Sequence, residues 1–386
     1  TPAPPSTPAP APPPEQRSFL ARLLNPEDNR KDSFPYVNLY LPEGQASIRL
    51  RKLIRNVLFE SQIDYRFVTG DISAFLRYKY YAHNYTYKIG LFDTIEFPNL
   101  GSSSSVQFQR VRGGLVLFEL PRDFSRRYYF LLQDDHYTFG DLTQVDNKKS
   151  NIYTKAGYQF GSQFDERLNG IVGESRGRIT PVLTAFRDAG TRFSVAAAVT
   201  ESARISEGDY QYTKLEAEAV RRTNLTPESF FITRFHIGSF LTKQTIRGPE
   251  FPSFERYSIP ETELFKLGGR DALKGVPSDT RAEGTQELHL TNEVFVPIFR
   301  NRDYTTGWLH WNTLYGVGYV GAGAASYDYS TLARSDSLAV HCGLGAETAF
   351  TVRDIEVLLS IVVSHPVRAP DDIHGTKVLF GIRTIR

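Results

Sequence analysis

Four histidines, His236, His289, His310 and His341, fall on the charged face of segments that alternate like β-strands. Imidazole is the commonest ligand for zinc-class metals, so four on related faces raise the question of a metal centre. Ligand atoms must converge to ~2 Å from one ion. Neighbouring strands alternate in direction, so these residues are expected at different depths, with His310 toward one mouth and His289 toward the other. They are read as solvated histidines, and no metal is expected. Gly316 to Gly321 reads GVGYVG and matches the dinucleotide fingerprint. That chemistry needs a helix directly after the glycines and an acidic residue about 20 positions on. The following AGAASYDYS has no helical period, so the glycines are read as small side chains instead. No zincin, P-loop or nucleophile-elbow spacing occurs, and Cys342 is the single cysteine. No catalytic residues and no cofactor are expected.

The elements that carry these residues alternate with period two, as half-buried strands do. Leu338, Val340, Cys342, Leu344, Ala346, Thr348 and Phe350 share one face, opposite Ala339, His341, Gly343, Gly345, Glu347 and Ala349. Ile355, Val357, Leu359, Ile361 and Val363 oppose Glu356, Ser360 and Ser364. Leu288, Leu290, Val294 and Val296 oppose Glu287, His289, Thr291 and Glu293, and Leu215, Ala217 and Ala219 oppose Lys214, Glu216 and Glu218. A β-sandwich with one wet face gives the same pattern. Strand length favours a membrane barrel: these runs reach about 10 to 14 residues, against a usual 5 to 6. The composition agrees, with 40% hydrophobic residues, a mean hydropathy of -0.34 and 13% aromatics. A formal charge of +2 argues against nucleic acid as a partner.

Sixteen strands are expected, near 35–42, 53–66, 72–83, 85–97, 103–120, 125–139, 152–162, 175–188, 190–203, 208–222, 227–243, 285–299, 307–320, 336–350, 352–365 and 376–386. An even number suits closure. Thr1 to Gln16 is half proline and favours an extended spacer, either a linker or a docking tail. Phe19, Leu20, Leu23 and Leu24 follow at helical spacing. Residues 1–33 are therefore read as a tail with a short amphipathic helix, and 34–386 as the barrel. The chain contains no Met, so loss of a signal peptide on export is expected.

A long polar segment, Gln244 to Gly284, separates the eleventh and twelfth expected strands, and within it Leu267 to Val276 reads LGGRDALKGV. The strand after it, ELHLTNEVFVP, carries Glu293 on the charged face and ends in Pro297. This L-G-G-x-x-x-L-K-G block, followed by an N-x-E-like strand, resembles the bacterial surface antigen family, the BamA/TamA-like outer-membrane assembly barrels. The likeness is good over roughly Tyr210 to Arg386 and stylistic before that. It implies a sixteen-stranded antiparallel transmembrane β-barrel with the loop between strands 11 and 12 folded inward.

The resemblance assigns Leu267, Gly268, Gly269, Leu273, Lys274 and Gly275 to a lumenal loop motif, with Glu293 as its carboxylate partner. Gly316 and Gly318 are read as small lumenal residues facing that loop. Lys274 stands where the family has Arg, and so lacks the bidentate guanidinium fork. Gly316 stands where an inward Asp is usual, and Val276 where an aromatic is usual. About 34 residues precede the first expected strand, too few for a POTRA module of ~50 residues, so a POTRA-less member is expected. The implied setting is the cell outer membrane of a Gram-negative-type bacterium, with both termini periplasmic. The implied partners are outer-membrane lipid, lipopolysaccharide and periplasmic or membrane proteins. The implied function is protein insertion or translocation. A passive pore or a scaffold barrel is the alternative, and a soluble all-β protein a third reading.

Overall fold

A computed structural model of the chain describes residues 34–41, 45–54, 57–66, 72–81, 85–96, 107–123, 126–141, 145–161, 193–202, 209–241, 259–260, 263–267, 273–274, 276, 283–306, 309–332, 334, 337–352, 355–369 and 375–385. The proline-rich tail, the helix expected at Arg17 to Leu24, the strand expected near 175–188, and Gly268, Gly269 and Gly275 lie outside the described residues.

The strands are β1 (Phe34–Leu41), β2 (Gln45–Ile54), β3 (Val57–Arg66), β4 (Ile72–Tyr81), β5 (Thr86–Glu96), β6 (Gln107–Asp123), β7 (Arg126–Asp141), β8 (Val145–Gly161) and β9 (Phe193–Ser202). They continue as β10 (Tyr212–Asn224), β11 (Phe230–Phe240), β12 (Phe265–Lys266), β13 (Glu283–Gly284), β14 (Gln286–Thr306), β15 (Leu309–Ser326), β16 (Ala339–Val352), β17 (Ile355–Arg368) and β18 (Lys377–Ile385). All but β12 and β13 form one closed antiparallel barrel, which gives sixteen wall strands, with β1 meeting β18. β12 and β13 pair only with each other, as a small ribbon inside the connection from β11 to β14. Closure leaves no sheet edge, which is how strands satisfy their backbone groups without water.

Period-two alternation drives the fold. In β11, Phe230, Ile232, Arg234, His236 and Phe240 point inward and are buried, whereas Phe235 and Ile237 point outward. Along the described wall the outward residues are mostly apolar and exposed, among them Leu50, Ile63, Leu76, Leu91, Phe130 and Leu344, the last 74% exposed, with a few outward charges such as Asp93 beside Arg110 and Arg112. Such a belt is far larger than the few hundred Å² of apolar patch that a water-soluble monomer tolerates. The inward face instead buries Arg77, Lys88, Glu119, Lys155, Lys214, Glu218 and Arg234. Apolar outside and charged inside is the arrangement of a transmembrane barrel.

The strand expected near 53–66 is β3, preceded by the last two residues of β2, and β2 itself is an addition to the expected set. β2 and β3 pair from Gln45↔Arg66 to Ile54↔Val57, which leaves only a two-residue connection between them. The charges of QASIRLRKLI hide β2 in the sequence, because Arg49, Arg51 and Lys52 interrupt any apolar stripe there. With an even strand number, Phe34 and Ile385 lie at one rim, together with short connections such as 307–308 and 353–354 and the longer 162–192. The 241–285 excursion springs from the opposite rim.

Candidate functional site: a plug pinned inside the lumen

The chain leaves the wall after Phe240 and re-enters it at Gln286. The Phe240 N–H donates to the Thr285 carbonyl at 2.9 Å, which ties the two ends of the excursion together. Between them the chain turns into the barrel. Phe265 seats on β10 and β11, with ring centroids 5.5 Å from Phe240 and 6.1 Å from His236. The Lys214 ammonium lies 4.5 Å from the Phe265 centroid, a cation–π contact in a desolvated place. Lys214 also donates to the Glu263 carbonyl at 2.9 Å and sits 3.4 Å from Glu216, which in turn lies 3.2 Å from Lys155. The plug thus joins an alternating ladder of lumenal charges.

Deeper in, the Leu273 N–H donates to the Leu267 carbonyl at 2.9 Å and brings these two residues together. Leu267, Leu273 and Val276 are buried against Ala325 and Ala339. Lys274 beside them is held by three strands. The Lys274 ammonium bonds the Glu293 carboxylate of β14. The Lys274 N–H donates to the Tyr319 hydroxyl of β15 at 2.9 Å, and the Ser364 hydroxyl of β17 donates to the Lys274 carbonyl at 2.8 Å. Lys274 is 8% exposed and Glu293 5%. Glu293 lies seven positions along β14 from Gln286. At ~3.3 Å per residue and a tilt near 40°, that is roughly 18 Å below the rim. The apolar band of such barrels is about 25 Å tall, so Lys274 lies past the midplane.

The structure thus brings together Leu267, Leu273, Lys274 and Glu293. It does not place Gly316 and Gly318 on the lumen, and that expectation is corrected. Tyr315, Val317 and Tyr319 occupy the inward positions of β15. A Cβ on Gly318 would lie 2.8 Å from Val294, and one on Gly316 would lie 4.0 Å from Ile298, both outward-facing neighbours. Reading β15 one residue out of phase turns every side chain to the other face. The glycines that make room for the plug are Gly238, Gly321 and Gly323. A Cβ at Gly238 would stand 2.2 Å from the Phe265 ring; one at Gly321 would stand 2.9 Å from Leu273, and one at Gly323 3.0 Å from Leu267. The signal in the sequence for Gly321 and Gly323 is parity with Tyr315 and Tyr319 on β15, and for Gly238 parity with His236 and Phe240 on β11.

The depth argument for the histidines also fails for one pair. β11 and β14 are wall neighbours, and His236 is the register partner of His289, with ring centroids 5.0 Å apart. His310 and His341 pair elsewhere, with Thr305 and Gly321.

A closed barrel of sixteen strands, apolar outside and plugged by an inward loop between its eleventh and twelfth wall strands, has the architecture of a BamA-like outer-membrane barrel. Known structures bear out that class. BamA from Haemophilus ducreyi lacking POTRA domains 1–3 matches with a TM-score of 0.63 at 11% identity, over 91% of this chain and 69% of that one. CdiB from Acinetobacter baumannii matches with a TM-score of 0.58 at 10% identity, over 92% of this chain and 59% of that one. CdiB from Escherichia coli matches with a TM-score of 0.58 at 13% identity, over 91% and 62%. The chain therefore spans about six-tenths of the length of the two CdiB proteins. No protein-family profile and no curated protein sequence matches it.

Proposed function

We propose that this barrel resides in the outer membrane of a Gram-negative-type bacterium, with its termini periplasmic, and acts with partner proteins in the insertion or translocation of other proteins. The observation that carries the reading is the seam. Among the described residues β1 and β18 pair over four positions, from Asn38↔Arg383 to Leu41↔Phe380. β1 and β2 pair over seven, and β14 and β15 over seventeen. Each backbone group left unpaired in lipid costs several kcal/mol, so a passive barrel gains from a long seam. A short seam suits a wall that parts and lends its edge to a client strand. The likeness in fold to BamA and CdiB supports the same reading. The plug favours it over an open pore, because Lys274 and Leu273 are anchored to the inner wall of the lumen.

The test is to lock the seam. Cysteines at Asn38 and Arg383, in a Cys342→Ser background, sit on directly paired positions, where Cα atoms ~4.5–5.5 Å apart suit a disulfide. Oxidation is expected to abolish insertion of client barrels into proteoliposomes, and reduction to restore it. Full activity with the seam quantitatively cross-linked would leave the scaffold role in its place.

A further inference from the structure

We propose that His236, Glu287 and His289 form a binding site for one divalent transition-metal ion of the zinc class. One nitrogen from each ring and one Glu287 oxygen all lie within 4.8 Å of one another. His236 is 8% exposed and His289 3%, and Glu287 is buried with them. The three come from two adjacent strands. His236 and His289 are opposite each other in register, and Glu287 reaches them from two positions along β14, on the same face.

Hydrogen bonding alone leaves this cluster incomplete. His289 Nδ1 bonds Glu287 Oε1 at 2.9 Å. His236 Nδ1 stands 3.4 Å from Glu287 Oε2 but makes no hydrogen bond, and His289 Nε2 is also buried without a hydrogen-bond partner. Buried polar atoms nearly always find partners, so these two orphaned ring nitrogens, one of them 3.4 Å from the carboxylate, need an explanation. Around a four-coordinate ion with bonds of ~2.1 Å, ligand atoms stand ~3.4 Å apart, so the His236–Glu287 spacing already suits an ion between them. Two imidazoles and a carboxylate are the donor set that zinc, and cobalt as its substitute, accept, with a further position left for water.

The surroundings are compatible. Glu218, the register partner of His236 on β10, is held by Arg234 at 2.9 Å and so does not compete for the ion. Lys214 faces the same space, but its ammonium is engaged by Glu216 and Glu263. Phe265 of the plug covers His236. A bound ion would tie β11 to β14 just below the point where the chain leaves the wall for the plug.

The experiment uses the full chain folded in detergent micelles, stripped with chelator and then exposed to zinc or cobalt salts. One zinc per chain is expected to survive desalting. Cobalt is expected to give the intense visible absorption of a four- or five-coordinate site. His236→Ala and His289→Ala should each weaken zinc binding at least tenfold, whereas His341→Ala, a buried lumenal histidine outside the cluster, should not. Heat-modifiable migration on gels confirms the fold of every variant. Should either cluster variant not fold, the cobalt spectrum of the unaltered chain decides the matter. Absence of stoichiometric zinc, a spectrum of purely six-coordinate cobalt, or equal retention in folded His236→Ala, His289→Ala and unaltered protein would each overturn the site.

Discussion

Replacing Lys274 by Met keeps the unbranched stem of the side chain and removes its ammonium, which isolates its pair with Glu293. An exposed ion pair is worth ~0–1 kcal/mol. That range does not apply here, because Lys274 and Glu293 are both more than nine-tenths buried. Withdrawing one charge from a buried pair costs ~3–5 kcal/mol, most of it the penalty of leaving the other charge in a poorly solvated place. The barrel has a cheaper response than unfolding: the plug can swing out and let water reach Glu293. The expected result is therefore plug release. If the docked state loses ~3 kcal/mol, the released population rises roughly 100-fold. Chymotryptic cleavage within residues 259–284 of the folded barrel should accelerate in proportion, since proteolysis follows the open population when reclosing is fast. The double variant Lys274→Met, Glu293→Gln should recover most of the loss, because it also removes the stranded charge. If Lys274→Met is cut no faster than the unaltered chain, the pair does not hold the plug, and the packing of Leu267, Leu273 and Val276 must do so alone.

Two further perturbations test the wall and the packing. Ile361 faces outward near the middle of β17 and Val367 outward near its end. Ile361→Arg should destabilise folding into bilayers by ~2–4 kcal/mol and Val367→Arg by ~0–1 kcal/mol; equal values in a denaturant titration would contradict the depth assigned here. Gly238→Ala drives a methyl into the Phe265 ring and should cost ~1–3 kcal/mol of plug docking, read by the same proteolysis. Adding Phe265→Leu should relieve part of that loss, and an additive penalty would show that the two do not meet.

The sequence made the wall legible wherever one face was charged. β11, β14 and β17 each set aliphatics against Glu, His or Ser, and their inward residues follow that contrast. β15 has no such contrast: Tyr315, Gly316, Val317, Gly318 and Tyr319 carry no charge on either face, so alternation alone does not set its phase, and Gly316 and Gly318 face outward rather than inward. The plug was legible through its motif, and Glu293 through its parity. The other anchors were not. Tyr319 and Ser364 bind the Lys274 backbone, which any residue at that position would offer, so no side-chain pattern marks them. The His236–His289 pairing depends on the register of β11 against β14 across a connection of some forty-five residues, 241–285. Alternation gives facing but not depth; only the ladder of backbone bonds sets which residues stand opposite.

The anchors of the plug have a mechanical consequence. Among the described residues they run from Lys214 on β10 through His236, Glu293, Tyr319 and Ala339 to Ser364 on β17. A strut fixed at that many points braces one arc of the cylinder against bending. β18 and β1 lie just beyond the end of that arc, joined among the described residues by four pairs. On the proposed function, β10 to β17 with the plug would act as a stiff jamb and the arc that begins at β1 as the leaf of a door. Any opening should show as a swing of the β1 side with little change in the plug.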